Sequence, residues 1–109
     1  MRASHLLCKH SGSRNPVSRR TNQSTSNVTP AAAQAELRVI LETITKENFA
    51  QKAFERSDCG SFAQGGDLGE FGPGAMMKPF EDAVLSLKIG QISGIVETDS
   101  GSHIIMRIA

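Results

Sequence analysis

The sequence predicts an α+β fold, a four-stranded and mainly antiparallel sheet surrounded by about four helices. Three observations carry that expectation. Both ends of the chain alternate side chains with the period of a strand, whereas the segments after Thr29 and Asn48 place apolar residues at helical spacing. Between them lies Gly65-Gly66-Asp67-Leu68-Gly69-Glu70-Phe71-Gly72-Pro73-Gly74, with five glycines in ten positions. Such a stretch packs poorly as a helix and suits a backbone that bends sharply and admits close approach.

Each element follows in order. From Arg2 to Lys9 a strand is expected, with Ala3, His5 and Leu7 alternating with Ser4, Leu6 and Cys8. Residues 10–29 hold almost no large apolar side chain and no period, so they form a long basic loop of the kind that carries function or is disordered. Thr29-Pro30 opens a helix, with threonine at the N-cap and proline at the first helical position. Ala33, Leu37, Ile40, Leu41 and Ile44 fall on its inner face. A second helix is expected over Asn48–Arg56, burying Phe49, Ala53 and Phe54. Ser57-Asp58-Cys59 forms a turn into a short helical piece at Gly60–Gln64. Asp67–Phe71 makes a short strand, and Lys78 to Leu85 or Ser86 a helix with Phe80, Val84 and Leu87 inward. A hairpin closes the chain, with strands Ile95–Thr98 and His103–Ile108 around Asp99-Ser100-Gly101. The side chains of His103, Ile105 and Arg107 alternate there with Ile104, Met106 and Ile108.

At 109 residues, 39% hydrophobic and 21% charged, the chain reads as one domain over 1–109 with a core of its own. No apolar run approaches the roughly 18 residues of a membrane span, so no membrane partner is expected. The opening Met1-Arg2-Ala3-Ser4-His5 has only Leu6-Leu7-Cys8 behind it and does not read as a secretory signal. Cytoplasm or nucleus is the expected compartment, with Cys8 and Cys59 as reduced thiols. On the same ground the glycosylation patterns at Asn22 and Asn27 are read as chance matches.

The net charge of +1 hides an asymmetry. Arg2, Lys9, Arg14, Arg19 and Arg20 precede the first acidic residue, Glu36; from Glu36 onward seven basic residues face eleven acidic ones. A basic front on a near-neutral protein points to an anionic partner and away from general nucleic-acid binding. Solvation of a mobile loop explains the same charges equally well.

His5, His10, His103 and Cys59 are the candidate metal ligands, but none stands at a ligand spacing such as C-x-x-C, so no metal and no cofactor is expected. A Cys–His nucleophile pair, Cys59 with His5 or His103, is neither supported nor opposed by separation along the chain. The default for each is structural: a hydrogen-bonded core histidine and a small apolar filler.

The whole chain, however, resembles the parvulin family of peptidyl-prolyl cis/trans isomerases. His5-Leu6-Leu7, Ser57-Asp58-Cys59, Gly65-Gly66-Asp67-Leu68-Gly69, Lys78-Pro79-Phe80 and Thr98-Asp99-Ser100-Gly101-Ser102-His103-Ile104-Ile105 stand in the family's order and spacing. The resemblance implies an FKBP-like superfold and a catalytic group of His5, Cys59, Thr98, Ser100 and His103. It implies that His5 and His103 meet under the site from the first and last strands, and that Cys59 faces the rotating amide. Leu68, Phe71, Met76, Met77 and Phe80 would form the proline pocket.

These residue types suit the chemistry. Amide resonance sets a rotation barrier of roughly 18–20 kcal/mol. About 100 turnovers per second require it lowered by about 5 kcal/mol. No bond breaks. A dry pocket can hold the proline ring while hydrogen bonds favour the twisted amide over the planar one. Covalent attack by Cys59 is not expected, and His5 and His103 brace the site without an obligatory proton transfer.

One branch of the family prefers phosphorylated Ser or Thr before the proline, and Lys9-His10-Ser11-Gly12-Ser13-Arg14-Asn15-Pro16 resembles its basic loop. Lys9, Ser13 and Arg14 match the anion-binding positions, where a point charge and a planar fork both suit a phosphoryl group. Phosphorylated Ser/Thr-Pro proteins are therefore the expected partners of a monomeric enzyme. Two departures matter. Asn15 stands where a second arginine is frequent, with Arg19 and Arg20 as candidates to replace it, and Met77 stands where glutamine is common. The chain has no tryptophan, so the WW docking module of many relatives is not expected within it. Two alternatives stay open: a non-catalytic phosphopeptide-binding module, and an isomerase indifferent to phosphate.

Overall fold

A computed structural model describes residues 1–109, and the two ends of the chain meet at the centre of its sheet. Strand β1 (Arg2–Cys8) pairs antiparallel with the last strand, β4 (Gly101–Arg107), through six residue pairs from Ala3↔Arg107 to Cys8↔Ser102. Strand β2 (Asp67–Glu70) flanks β1, and β3 (Val96–Thr98) flanks β4, giving the order β2-β1-β4-β3 with every pairing antiparallel. Three α-helices complete the fold, α1 (Pro30–Leu41), α2 (Phe49–Arg56) and α3 (Lys78–Ser86), with a 3-10 turn at Gly60–Gln64 taking the place of the fourth expected helix.

Alternation along the central strands divides the core between the two faces of the sheet. Leu6, Cys8 and Ile104 point to one face and pack against Ala33 and Leu37 of α1 and Phe49 and Ala53 of α2. Ala3 and Ile105 point to the other and pack against Phe80, Val84 and Leu87 around α3, with Phe71. The helices begin where the sequence places them: the Thr29 hydroxyl accepts from the Ala32 N–H at 3.1 Å ahead of Pro30. Ile44 lies past the end of α1 yet still packs on its cluster.

Phe54 corrects an expectation. It is 52% exposed and rests against Phe62 of the 3-10 turn, ring centroids 5.8 Å apart, because the inner face of α2 is filled by Phe49 and Ala53. The final strand also starts two residues early, at Gly101, so the hairpin turn is Asp99-Ser100 alone.

The long loop is a stitched structure. Val17 bridges Ser24, and the Ser11, Thr25 and Ser18 N–H groups donate to Val28, Pro16 and Gln23 carbonyls. No helix is long and apolar enough to cross a membrane.

Candidate active site

His5 and His103 sit on neighbouring central strands, two pairs apart in register, with side chains on the α3 face. Both are almost fully buried, and their Nδ1 atoms lie 2.9 Å apart. The Phe80 ring meets both edge-on, at 5.6 Å and 5.4 Å. The other His103 nitrogen, Nε2, is 2.7 Å from Thr98 Oγ1, which also accepts from the Ser100 N–H. Burial first, then the neighbouring His5, pushes the His103 pKa down to about 3, so it is neutral across the physiological range.

A neutral His103 leaves the chain of bonds two directions. If His103 Nε2–H donates to Thr98, its bare Nδ1 accepts from His5 Nδ1–H. If the Thr98 hydroxyl donates instead, His103 Nδ1–H donates to His5, whose proton then sits on Nε2. That His5 Nε2 is buried and has no hydrogen-bond partner. It is the one open end of the network.

Cys59 stands near that open end. Burial alone would raise its thiol, but the His5 imidazole, with Ser61 assisting, outweighs burial and brings it down to about 6. His5 lowers it first as a hydrogen-bonding partner for the sulfur and then through its charge, although no such bond is formed in the resting geometry. Cys8, the other free thiol, packs on the opposite face, where burial pushes it up to about 12.

An open cavity of about 730 Å³ begins at Cys59. Leu7, Leu68, Ser61 and Ser100 share its wall with Lys9, Arg14, Asn15 and Arg19. Among the expected pocket residues, Leu68, Phe71, Met76 and Phe80 come together in the α3-face cluster. Met77 does not join them; it borders a second cavity of about 480 Å³ with Thr98 and Asp99. The Thr98–Ser100 turn separates the two hollows, and His103 holds that turn from below through Thr98.

The basic-loop residues divide similarly. Lys9 is almost buried, and its ammonium donates to the Val17 carbonyl at 2.8 Å. Burial, then the Arg19 charge, holds its pKa below the usual lysine value. Arg14 is exposed at the cavity edge. Ser13 is turned inward, its hydroxyl accepting from the His10 N–H at 3.0 Å, so it shapes the loop. Arg20 lies off the cavity. His10 is apart from the other two histidines, accepting from the Gly12 N–H at Nδ1 and facing Glu97. No three His, Cys, Asp or Glu side chains are grouped as metal ligands.

A family match decides what this assembly is. The Rotamase: PPIC-type PPIASE domain matches residues 5–109. The chain belongs to the parvulin-type peptidyl-prolyl cis/trans isomerases. It is 49% identical over 113 residues to peptidyl-prolyl cis-trans isomerase Pin1 of Arabidopsis thaliana, covering 100% of this chain and 95% of that protein. Identity to the Saccharomyces cerevisiae isomerase ESS1 is 42%, over 99% of this chain and 65% of the yeast protein. Among solved structures, TbPIN1 superimposes with a TM-score of 0.88 at 60% identity, covering 100% of this chain and 96% of that one.

This parvulin relies on two residues that the sequence did not mark for a role. Ser57 and Asp58 continue the sheet edge where β2 leaves β1. The Leu7 N–H donates to Ser57 Oγ at 3.0 Å, the Lys9 N–H to Asp58 Oδ2 at 2.9 Å, and the Asp58 N–H to the Leu7 carbonyl at 2.7 Å. Asp58 also accepts from Ser18 Oγ and Arg56 Nη1. One buried carboxylate, on the residue before Cys59, therefore joins the end of the strand of His5, the basic loop and α2. Ser-Asp after a helix reads as ordinary turn chemistry, and nothing in the spacing separates that from a substitute strand.

Proposed function

We propose that this isomerase acts on prolyl bonds preceded by phosphoserine or phosphothreonine. One observation carries the reading: Lys9 and Arg14 border the same cavity as Cys59 and Leu68. A cationic end and an amide-facing end in one hollow match a substrate whose anion stands one residue before its proline.

The residues divide the work by chemistry. The cluster of Leu68, Met76 and Phe80 receives the proline ring and keeps water from one side of the amide. Lys9 and Arg14 hold the phosphoryl group, fixing the other side. Rotation then proceeds between two held ends. Cys59, an anion near neutral pH, lies beside the amide and favours the twisted state, in which the carbonyl has lost resonance. His5 sets the Cys59 charge, and Thr98 and His103 hold His5 in place. No proton transfer and no bond cleavage are required.

Exchange NMR on matched peptides containing pSer-Pro, Glu-Pro and Ser-Pro tests this. Fast exchange is expected for pSer-Pro, weaker exchange for Glu-Pro and the slowest for Ser-Pro, with the difference shrinking as salt rises. Equal rates for all three peptides would remove the phosphate preference and leave a general prolyl isomerase.

A further inference from the structure

We infer that Arg19 is the second guanidinium of the phosphate site, filling from the far side the place that Asn15 leaves uncharged. The inference rests on the phosphate-directed reading above and adds to it a specificity residue.

The loop offers two cations, and the fold sends them apart. Arg19 borders the cavity with Lys9, Arg14 and Asn15, whereas Arg20 does not. The Arg20 charge acts on Cys8, which packs on the opposite face of the sheet, and its Nε is buried without a partner. Of the two, Arg19 alone lines the cavity that holds Cys59.

Its backbone is fixed on the cavity wall. The Arg19 N–H donates to the Asp58 carbonyl at 2.9 Å, next in sequence to Cys59. The preceding Ser18 donates its hydroxyl to Asp58 Oδ1 at 2.7 Å, and the Val17 carbonyl accepts from Lys9 Nζ at 2.8 Å. Arg14 is held from the other wall, its N–H donating to the Asp99 carbonyl at 2.6 Å in the β3–β4 turn. Two exposed guanidinium groups thus approach one hollow from anchors on opposite walls, with Lys9 between them.

Neither guanidinium is engaged. The ion pairs of the chain involve Arg2, His10, Arg56 and Lys78, and neither the Arg14 nor the Arg19 side chain makes a hydrogen bond. The one carboxylate on the cavity wall, Asp67, is occupied by Arg2 and the Gly69 N–H. The nearby Asp58 and Cys59 charges act on Lys9, whereas the Arg14 and Arg19 guanidinium groups have no paired anion, and an entering phosphoryl group with nearly two negative charges supplies one. Each free guanidinium brings a planar fork that matches two phosphate oxygens.

The test compares kcat/KM for pSer-Pro and Ser-Pro peptides in the wild type and in Arg14→Ala, Arg19→Ala, Arg19→Lys, Arg20→Ala and Asn15→Arg/Arg19→Ala. Loss of a charged hydrogen-bond donor predicts that the pSer-Pro to Ser-Pro ratio falls about tenfold or more in Arg19→Ala, as in Arg14→Ala. Arg19→Lys should fall between, Arg20→Ala should keep the wild-type ratio, and Asn15→Arg should restore most of the ratio to Arg19→Ala. A ratio in Arg19→Ala within about threefold of wild type, while Arg14→Ala loses it, overturns the assignment and leaves phosphate recognition intact. An equal loss on both peptides overturns it too, since a structural defect does not discriminate between them. A wild-type ratio near unity would instead remove the phosphate reading itself.

Discussion

Cys59 and Cys8 show how far tertiary surroundings separate two identical side chains. Cys59 is set near pH 6 by His5 and Ser61 against the opposing effect of burial, while Cys8 is pushed up to about 12. Only a thiolate is a competent nucleophile toward alkylating agents. Iodoacetamide labelling followed by peptide mass spectrometry should therefore modify Cys59 with a midpoint near pH 6 and leave Cys8 untouched in the native protein. His5→Ala should move the Cys59 midpoint upward. A wild-type midpoint near 9, the ordinary value, would mean that His5 does not set this charge. The sequence supplied the residue types, and the resemblance supplied their meeting point. That Cys59 is a low-pKa thiol follows only from where the open nitrogen of His5 lies.

At the scale of elements, the close approach of β2 to β1 depends on one glycine. Gly66 has φ +85, and a Cβ there would stand 2.2 Å from the His5 carbonyl oxygen. Its own carbonyl accepts from the His5 N–H at 2.9 Å, so the contact sets the strand that carries His5. Gly66→Ala is expected to cost about 2 kcal/mol or more, combining left-handed strain with a clash against backbone. Gly69, at φ +74 with open space around it, isolates the strain alone, so Gly69→Ala should cost about 1 kcal/mol. Urea unfolding of the pair measures the difference, and equal losses would remove the steric argument. The glycine-rich stretch was legible as a bend with close approach; its partner, the His5 carbonyl, was not. The segment 10–29 was legible as a basic loop, but its internal order was not. Its order comes from side-chain and backbone hydrogen bonds, such as Lys9 Nζ to Val17 and Ser18 Oγ to Asp58, which leave no hydrophobic period.

For the whole molecule, burying the histidine pair makes stability depend on pH. His103 has an ordinary value of 6.5 when unfolded and about 3 when folded. Between those values the unfolded chain binds the extra proton, so stability rises with pH through that window. The contribution is present above about pH 6.5 and is lost progressively as the pH falls toward 3. The unfolding free energy of the wild type relative to His103→Gln should therefore shrink between pH 7 and pH 4, read from urea titrations at each pH. A constant difference would place His103 in a solvated setting. The architecture supports this burial by separating tasks. One face of the sheet, under α1 and α2, is an apolar core built on Leu37 and Phe49, and the other combines packing with the site.

By itself the sequence determined the period-two ends, the capped helix at Thr29, the glycine bend and the family, since each is written in neighbouring residues or in a motif's order. Tertiary structure alone decided that Phe54 stays exposed, that Met77 lies apart from the cluster of Leu68, Met76 and Phe80, that Arg19 and Arg20 part, and that Asp58 joins strand, loop and site. Local spacing fixes which way a side chain points from its own element. What it then meets depends on where distant segments cross, and that is set by the packing of the whole chain.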